Sequence, residues 1–410
     1  MATTITAGIT TSTALNITTD TSGVLNFQTA GSVSAMTISS TGVSIPGALI
    51  ANTATITSAT IASATIGTIT SATISSATVA NLAIGSGSVT TALGQGNAST
   101  LKNRIINGAM VIDQRNSGAS VTPTNGQYSL DRWYFFVSQS SKLTAQQSST
   151  APAGFNNSLL ITSSSAYSIG SGDFFSFQQK IEGYNVGDLN WGTANAKNVT
   201  LSFWVQSSLT GTFGGAFGNG AANRSYPFTY SIPVANTWTQ ISITIAGDTT
   251  GTWATNNTAG LAVYFSLGTG STLSGTAGAW AAGNYQNATG ATSVVGTNGA
   301  TFYITGVQLE VGSSATGFEY RQYGQEFALC QRYYEVCSTT YLQAAQAGGG
   351  SNIVTGQYRV TKRATPTLTL TQVVGSGGGQ FSNTVDNWSA SAAVDGNGRI
   401  GWSATSSAEL

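Results

Sequence analysis

The stretch NVTLSFWVQ (Asn198–Gln206), with its counterpart TQISITI (Thr239–Ile245), decides how the chain folds. Leu201, Phe203 and Val205 alternate with Ser202, Trp204 and Gln206, and Ile241, Ile243 and Ile245 alternate with Ser242 and Thr244. Successive side chains of a strand point to opposite faces, so a period of two predicts strands with one buried face. Working outward, similar runs separated by Gly, Asn and Ser occur at Leu130–Val137, Ser158–Thr162, Phe174–Ile181, Tyr226–Ile232, Leu261–Leu267 and Thr301–Leu309. So many short strands with turn signals between them predict an all-β fold, a two-sheet jelly-roll β-sandwich over residues 101–321.

The boundary near residue 100 is a change of composition. The first hundred residues carry one charge, Asp20; Lys102, Arg104, Asp113, Arg115, Asp131 and Arg132 then follow, with the aromatic run Trp133–Phe136. Beyond the sandwich, Phe327, Cys330, Tyr334 and Cys337 recur at helical steps and predict a short helix over 322–337. The remainder, 338–410, reads as a distal β tip with strands at Thr367–Val373, Trp388–Val394 and Arg399–Ser403. Between the last two, Asp395-Gly396-Asn397-Gly398 reads as a hairpin turn. The same four residues resemble a calcium loop, but its remaining ligands and terminal Glu are missing.

Upstream, Ala54–Val89 places aliphatic residues at Ile56, Ile61, Ile66, Ile69, Ile74, Val79, Ile84 and Val89. Steps of five, broken once by a step of three, fit neither a helix nor a simple strand. They fit a chain that turns a corner every few residues, as in a solenoid or an intertwined fibre. One thin ribbon cannot cover its own inward face. The expectation is therefore a trimeric shaft over 51–100 with Ile56, Ile61, Ile66, Ile74, Val79 and Ile84 in its core. A disordered linker and a monomeric pentapeptide coil are the competing readings. Residues 1–50 alternate at Ala14–Thr18, Gly23–Gln28, Ala35–Ser39 and Gly42–Ile45, which predicts a small proximal β region.

Charged residues make up 7% of the chain, against roughly 25% in ordinary globular proteins. Basic and acidic residues balance at 14 each, so bulk charge gives no reason to expect a nucleic-acid partner. The absence of His removes Ser-His-Asp and Cys-His catalysis and every His-ligated metal site. Cys330 and Cys337 have no C-x-x-C partner and read as two reduced, buried thiols. The opening MATTITAGITT lacks the basic and apolar regions of a signal peptide. No apolar run reaches the ~20 residues of a membrane span, so membrane insertion is not expected.

Two segments resemble a known family. NRIINGAMVIDQRNSGASVTP (Asn103–Pro123) followed by YSLDRWYF (Tyr128–Phe135) is similar to the opening of the globular head in bacteriophage tail-fibre and receptor-binding tail proteins. FYITGVQLEVGSSATGFEYRQYGQEFALCQRYYE (Phe302–Glu335) resembles the last strand of that head and its exit helix, and TKRATPTLTL (Thr361–Leu370) a strand that follows. The resemblance covers about 100–370. It implies a homotrimeric tail fibre of the virion, assembled in the host cytoplasm and attached through its amino-terminal part to other tail or baseplate proteins. The head would resemble a carbohydrate-binding module, and the distal tip would meet a host surface glycan or outer-membrane component. No family ligand residue maps onto this chain. The module likeness leaves room for a structural calcium without a legible ligand set, and no other cofactor is expected.

Sugar binding needs aromatic faces for stacking and amides or carboxylates for the hydroxyls. Aromatics in apparent loops are the candidates: Trp191, Trp253, Trp280 and Tyr285 in the head, Trp388 and Trp402 near the carboxyl end. Asn256, Asn257, Asn284 and Asn287 lie beside some of them. Each aromatic could equally serve the core or a subunit contact, and Trp388 and Trp402 could pair across the hairpin. Glycoside hydrolysis needs two carboxylates about 5–9.5 Å apart. Asp131, Glu310 and Glu319 sit in the family-like segments, Asp131-Arg132 and Glu319–Arg321 read as ion pairs, and Asp173, Glu182, Asp188 and Asp248 show no recognisable arrangement. Adhesion without turnover is thus the expected function, with a depolymerase or a purely structural fibre as alternatives.

Overall fold

The computed structural model describes residues 25–29, 33–39, 42–44, 102–343, 352–393, 395 and 399–410, in two units that divide after Gly85. In the first unit, β1 (Leu25–Thr29), β2 (Val33–Ser39) and β3 (Gly42–Ser44) form an antiparallel sheet in that order. Leu25 pairs with Ile38, Ile38 with Val43, and a bulge falls between Phe27 and Gln28. The three strands coincide with the alternations read at 23–28, 35–39 and 42–45. Ala14–Thr18 and the aliphatic ladder from Ile56 to Val89 lie outside the described residues.

The second unit holds a β-sandwich and a smaller β tip. Its sandwich strands are β4 (Tyr134–Val137), β5 (Leu143–Ser148), β6 (Ser158–Ser163), β7 (Phe174–Glu182), β8 (Val199–Ser207), β9 (Gly211–Asn219), β10 (Arg224–Ile232), β11 (Thr239–Ile245), β12 (Ala259–Thr269), three two-residue strands β13 (Ser274–Gly275), β14 (Ala281–Ala282) and β15 (Asn287–Ala288), and β16 (Thr301–Val311). One sheet runs β14-β10-β9-β12-β7-β4 and the other β11-β8-β16-β6-β5. The alternation dictates what lies between them. Leu201, Phe203 and Val205 are fully buried, with Trp133, Phe135, Phe175, Phe177, Phe265 and Phe302. Phe177 stacks on Phe265 at 5.1 Å and Phe203 meets Phe265 edge-on at 5.1 Å, both favoured aromatic geometries.

Three expectations need correction. Leu130–Val137 is strand only from Tyr134, because Arg132 adopts a left-handed φ of 72° and Trp133 N–H closes a turn on the Leu130 carbonyl at 3.0 Å. The helix α1 is Tyr323–Gln331, shorter than 322–337. Residues from Tyr334 enter β17 (Tyr334–Gln343), where pairing with the last strand of the chain overrides the helical spacing of Tyr334 and Cys337. Cys330 and Cys337 are accordingly free, buried, and in separate apolar clusters.

The third correction concerns the tip. Its other strands are β18 (Asn352–Gln357), β19 (Thr367–Val374), β20 (Ser376–Asn383), β21 (Asn387–Ala393) and β22 (Arg399–Ser407). β21 pairs with β18 and β20, while β22 pairs with β17 and β19, so the two strands belong to different sheets and do not pair with each other; residues 394 and 396–398 lie outside the described residues. Alternating Trp388, Ala390 and Ala392 on β21 face Ile400, Trp402 and Ala404 on β22 within one core.

Tip and sandwich meet in a seam of buried charge. Glu182 accepts two bonds from Arg332, at 3.0 and 2.7 Å, and one from the Tyr333 hydroxyl at 2.9 Å. Lys362 and Glu335 pair at 2.5 Å, fully buried. Asp131 accepts from the Gln114 backbone and side-chain amides, each at 2.7 Å, and Gln114 in turn donates to the Tyr334 carbonyl at 3.0 Å. Burial pushes the Asp131 carboxyl up to about 6, against the Gln114 hydrogen bonds and the Arg115 charge. A folded value above the ordinary 3.8 means its contribution is complete at low pH and lost as pH rises through 6. Between pH 7 and pH 5 this group adds about 1.4 kcal/mol to stability. Urea midpoints at the two pH values should show that gain in the wild type relative to Asp131→Asn; parallel profiles would count against it.

Candidate functional site

The outward face of the six-stranded sheet carries the candidate site. β7 reads FFSFQQKIE: Phe175, Phe177 and Ile181 enter the core, so Ser176, Gln178 and Lys180 take the other face. On β12, Leu261, Val263 and Phe265 enter the core, leaving Ala262 and Tyr264 outward. Register then sets a row across the sheet, because Tyr134 pairs with Gln178, Gln178 with Tyr264, and Tyr264 with Ala216. Lys180 and Ala262 start the neighbouring row. The floor is low because Ala216, Gly218 and Ala262 carry little or no side chain. A Cβ on Gly218 would lie 3.1 Å from the Tyr264 ring.

A groove of about 150 Å³ lies over these rows. Asn219, Gly220 and Ala222 of the β9–β10 hairpin line it, as do Asn284 and Gln286 of a segment that crosses the sheet. The hairpin is rigid: Asn219 accepts from Asn223 N and Arg224 N and donates to Asn223 at 2.7 Å and the Thr252 carbonyl at 3.1 Å. Gln286 accepts from Ser176 at 3.2 Å. Gln178 is 3% exposed, and its Oε1 has no hydrogen-bond partner. Buried polar atoms are nearly always paired. Among the described residues Lys180 forms no ion pair, and it lies 5.4 Å from the Tyr134 ring. Burial, then the neighbouring Arg132 charge, holds its ammonium below the usual lysine value. Burial and Tyr134 push the Tyr264 phenol up to about 12, so its hydroxyl stays protonated. Two phenol rings thus flank a free amide acceptor and a free ammonium, a set suited to a small polyhydroxylated ring.

The sequence candidates are placed otherwise. Trp191, Trp253 and Trp280 form a mutual edge-to-face cluster at 4.8, 5.2 and 5.3 Å. Each indole N–H is held by a backbone carbonyl: Trp191 by Lys197 at 2.8 Å, Trp253 by Thr250 at 3.2 Å, Trp280 by Ala246 at 2.7 Å. The cluster packs on the sandwich core, with a hollow of about 140 Å³ beside Trp191 and Trp253. Tyr285 is half-buried against Gly275 and Gly283, between the groove residues Asn284 and Gln286. Trp388 and Trp402 are enclosed in the tip core, away from the groove that Tyr264 lines. Asn256 bonds Thr258, Asn257 bonds the Arg363 carbonyl across the seam, and Asn287 is buried on the Ala288 amide. Only Asn284 and Tyr285 lie at the groove or beside it.

Tyr134, Gln178, Lys180 and Tyr264 belong to strands, not to the loops where the stacking aromatics are expected. Their outward parity beside Phe135, Phe177 and Phe265 was the available signal.

The carboxylates are committed elsewhere. Asp173 accepts from Ser138, Tyr167 and Gly170, Asp188 pairs with Arg104 at 2.7 Å, and Asp248 holds Arg224 at 2.8 and 2.7 Å. Among the described residues no group of three or more His, Cys, Asp or Glu is placed to hold a metal ion. A larger cleft of about 240 Å³ lies beside Phe155, Phe318, Tyr320 and Tyr323. Its charges are internally spent: Arg321 pairs with Glu326 at 3.2 Å and Glu319 receives Asn103 N–H at 2.7 Å.

No family model matches the chain, and no curated protein matches it. Among solved structures it is similar to a putative sugar binding protein from Bacteroides thetaiotaomicron, at 12% identity and TM-score 0.32, over 52% of this chain and 100% of that one. TmCBM61 in complex with beta-1,4-galactotriose matches at 8% identity and TM-score 0.27, over 52% of this chain and 99% of that one. The enzymatically active domain of tailspike protein 4 from bacteriophage CBA120 matches at 14% identity and TM-score 0.28. That match covers 51% of this chain and only 21% of the tailspike chain.

Proposed function

We propose that the chain is an adhesin that binds a surface glycan through the groove on its six-stranded sheet, without turnover. The observation that carries this reading is the row Tyr134–Gln178–Tyr264, in which two rings flank a buried, unpaired amide oxygen at the floor of the groove on the outward sheet face. The groove-lining residues include no carboxylate, which supports binding over hydrolysis. The likeness of 103–135 and 302–335 to tail-fibre heads supports placing it on a phage virion as a homotrimer, attached through its amino-terminal part. Three such grooves per fibre would raise avidity above single-site affinity by about 10²–10⁴.

The test is retention of the full chain on bacterial cells before and after surface glycan is stripped. Tyr264→Ala removes a stacking face and Gln178→Ala a hydroxyl acceptor, each expected to weaken single-site binding roughly tenfold. Trp253→Ala should leave it unchanged. Full retention by folded Tyr264→Ala and Gln178→Ala chains would overturn the assignment, as would release of reducing ends from the glycan.

A further inference from the structure

Lys180 and Gln178 say more about the ligand than that it is a sugar. Lys180 is the one charged residue lining the groove. Among the described residues it has no anionic partner, although most of the chain's cations do: Arg104, Arg115, Arg132, Arg224, Arg321, Arg332, Lys362 and Arg399 each pair with a carboxylate at hydrogen-bond distance. Arg132 approaches from the seam and adds to the positive field, its guanidinium donating to the Lys180 carbonyl at 2.5 Å. A part-buried ammonium without a counter-charge costs stability unless something else supplies one. Gln178 Oε1, next but one along β7 and on the same face, is an acceptor with the same deficit. A neutral sugar can answer the amide but must leave the ammonium poorly solvated. A sugar with both a hydroxyl and a carboxylate answers both.

We propose that the groove takes an acidic monosaccharide unit, with its carboxylate on the Lys180 ammonium and a ring hydroxyl donating to Gln178 Oε1. The assignment rests on reading the groove as the glycan site. A volume of about 150 Å³ is half the ~300 Å³ at which ordinary ligand pockets begin. It therefore fits one ring, with the rest of the chain running out over Ala222 and Asn284. Tyr264 and Tyr134 supply the walls, and Lys180 supplies the choice between acid and neutral sugar.

The experiment titrates the full chain with glucuronate, galacturonate and N-acetylneuraminate, each beside its methyl ester, which keeps the ring and removes the charge. At least one acid should bind ten-fold or more tighter than its ester, with affinity falling as salt rises. Lys180→Gln should bring acid and ester level without lowering the thermal midpoint, while Lys180→Arg restores part of the preference. Gln178→Ala should weaken acid and ester alike. If acids and esters bind equally and Tyr264→Ala removes both, the groove is a glycan site and the acid preference is wrong. If no acid binds while stripped cells still lose the wild-type chain, the acidic ligand is again excluded and adhesion itself stands. If glycan stripping changes nothing, the underlying reading fails with it.

Discussion

Replacing Glu409 with alanine lowers the stability of the folded unit by about 3–5 kcal/mol, the cost of leaving a buried cation without its partner. Glu409 pairs with Arg115 at 2.7 Å through one oxygen and with Arg132 through the other. Arg132 is 1% exposed and lies 3.6 Å above the Tyr333 ring, so water cannot replace the lost carboxylate. Arg363 holds the Ala408 and Glu409 carbonyls at 2.8 and 2.9 Å, and the Tyr128 hydroxyl donates to the Leu410 carbonyl at 3.1 Å. Residues 408–410 are thereby fastened to the sandwich, and Arg132 links Glu409 to the Lys180 carbonyl of the β7 strand that carries Gln178. The check is urea unfolding of the full chain. Glu409→Ala should shift the midpoint strongly, while the double variant Arg132→Met, Glu409→Leu should recover part of the loss, since it removes the fully buried Arg132 charge with the carboxylate and leaves Arg115 as the one cation without its partner. A shift under about 1 kcal/mol would mean that Arg132 is solvated after all.

The sandwich was legible in the sequence because its strands bury one face and leave the other wet. The alternation marks Thr239–Ile245 to the residue and the other strands it predicts to within a few residues, since period two survives any reasonable choice of boundary. What escaped had a different physical basis. Tyr334 and Cys337 of β17 sit at helical spacing from Cys330, and only pairing with β22, remote in sequence, makes the segment a strand. β5 (LTAQQS) buries Leu143 and Ala145 but otherwise looks like a polar loop. The site was hidden for a related reason. The tryptophans chosen from loops fill the flank of the core, whereas Tyr134 and Tyr264 looked like ordinary members of hydrophobic strands. Which face of a strand is free depends on the register of its neighbours, and register is not written in any one strand.

β9 is the strand the sequence hid most completely, and its glycines carry the last prediction. GTFGGAFGN has low strand propensity, since glycine adds entropy to the unfolded chain and packs nothing. It is a central strand nonetheless, hydrogen-bonded to β10 on one side and β12 on the other. Gly215 explains the choice. A Cβ there would lie 2.2 Å from the Tyr264 carbonyl oxygen and 2.6 Å from the Phe228 ring. Phe228 pairs with Gly215 in register and fills the space a side chain would take, while the carbonyl belongs to the adjoining strand and cannot turn away. Gly215→Val should therefore cost about 3 kcal/mol or more through overpacking. Because the displaced backbone is that of Tyr264, glycan retention should fall in whatever fraction stays folded. Gly172, with no atom within 4 Å of its Cβ position and an ordinary backbone, is the control; Gly172→Val should stay within about 0.5 kcal/mol of the wild type. Equal thermal midpoints for the two variants would mean that β9 and β12 can separate freely, and the groove floor would then lose the rigidity that holds Tyr264 opposite Gln178.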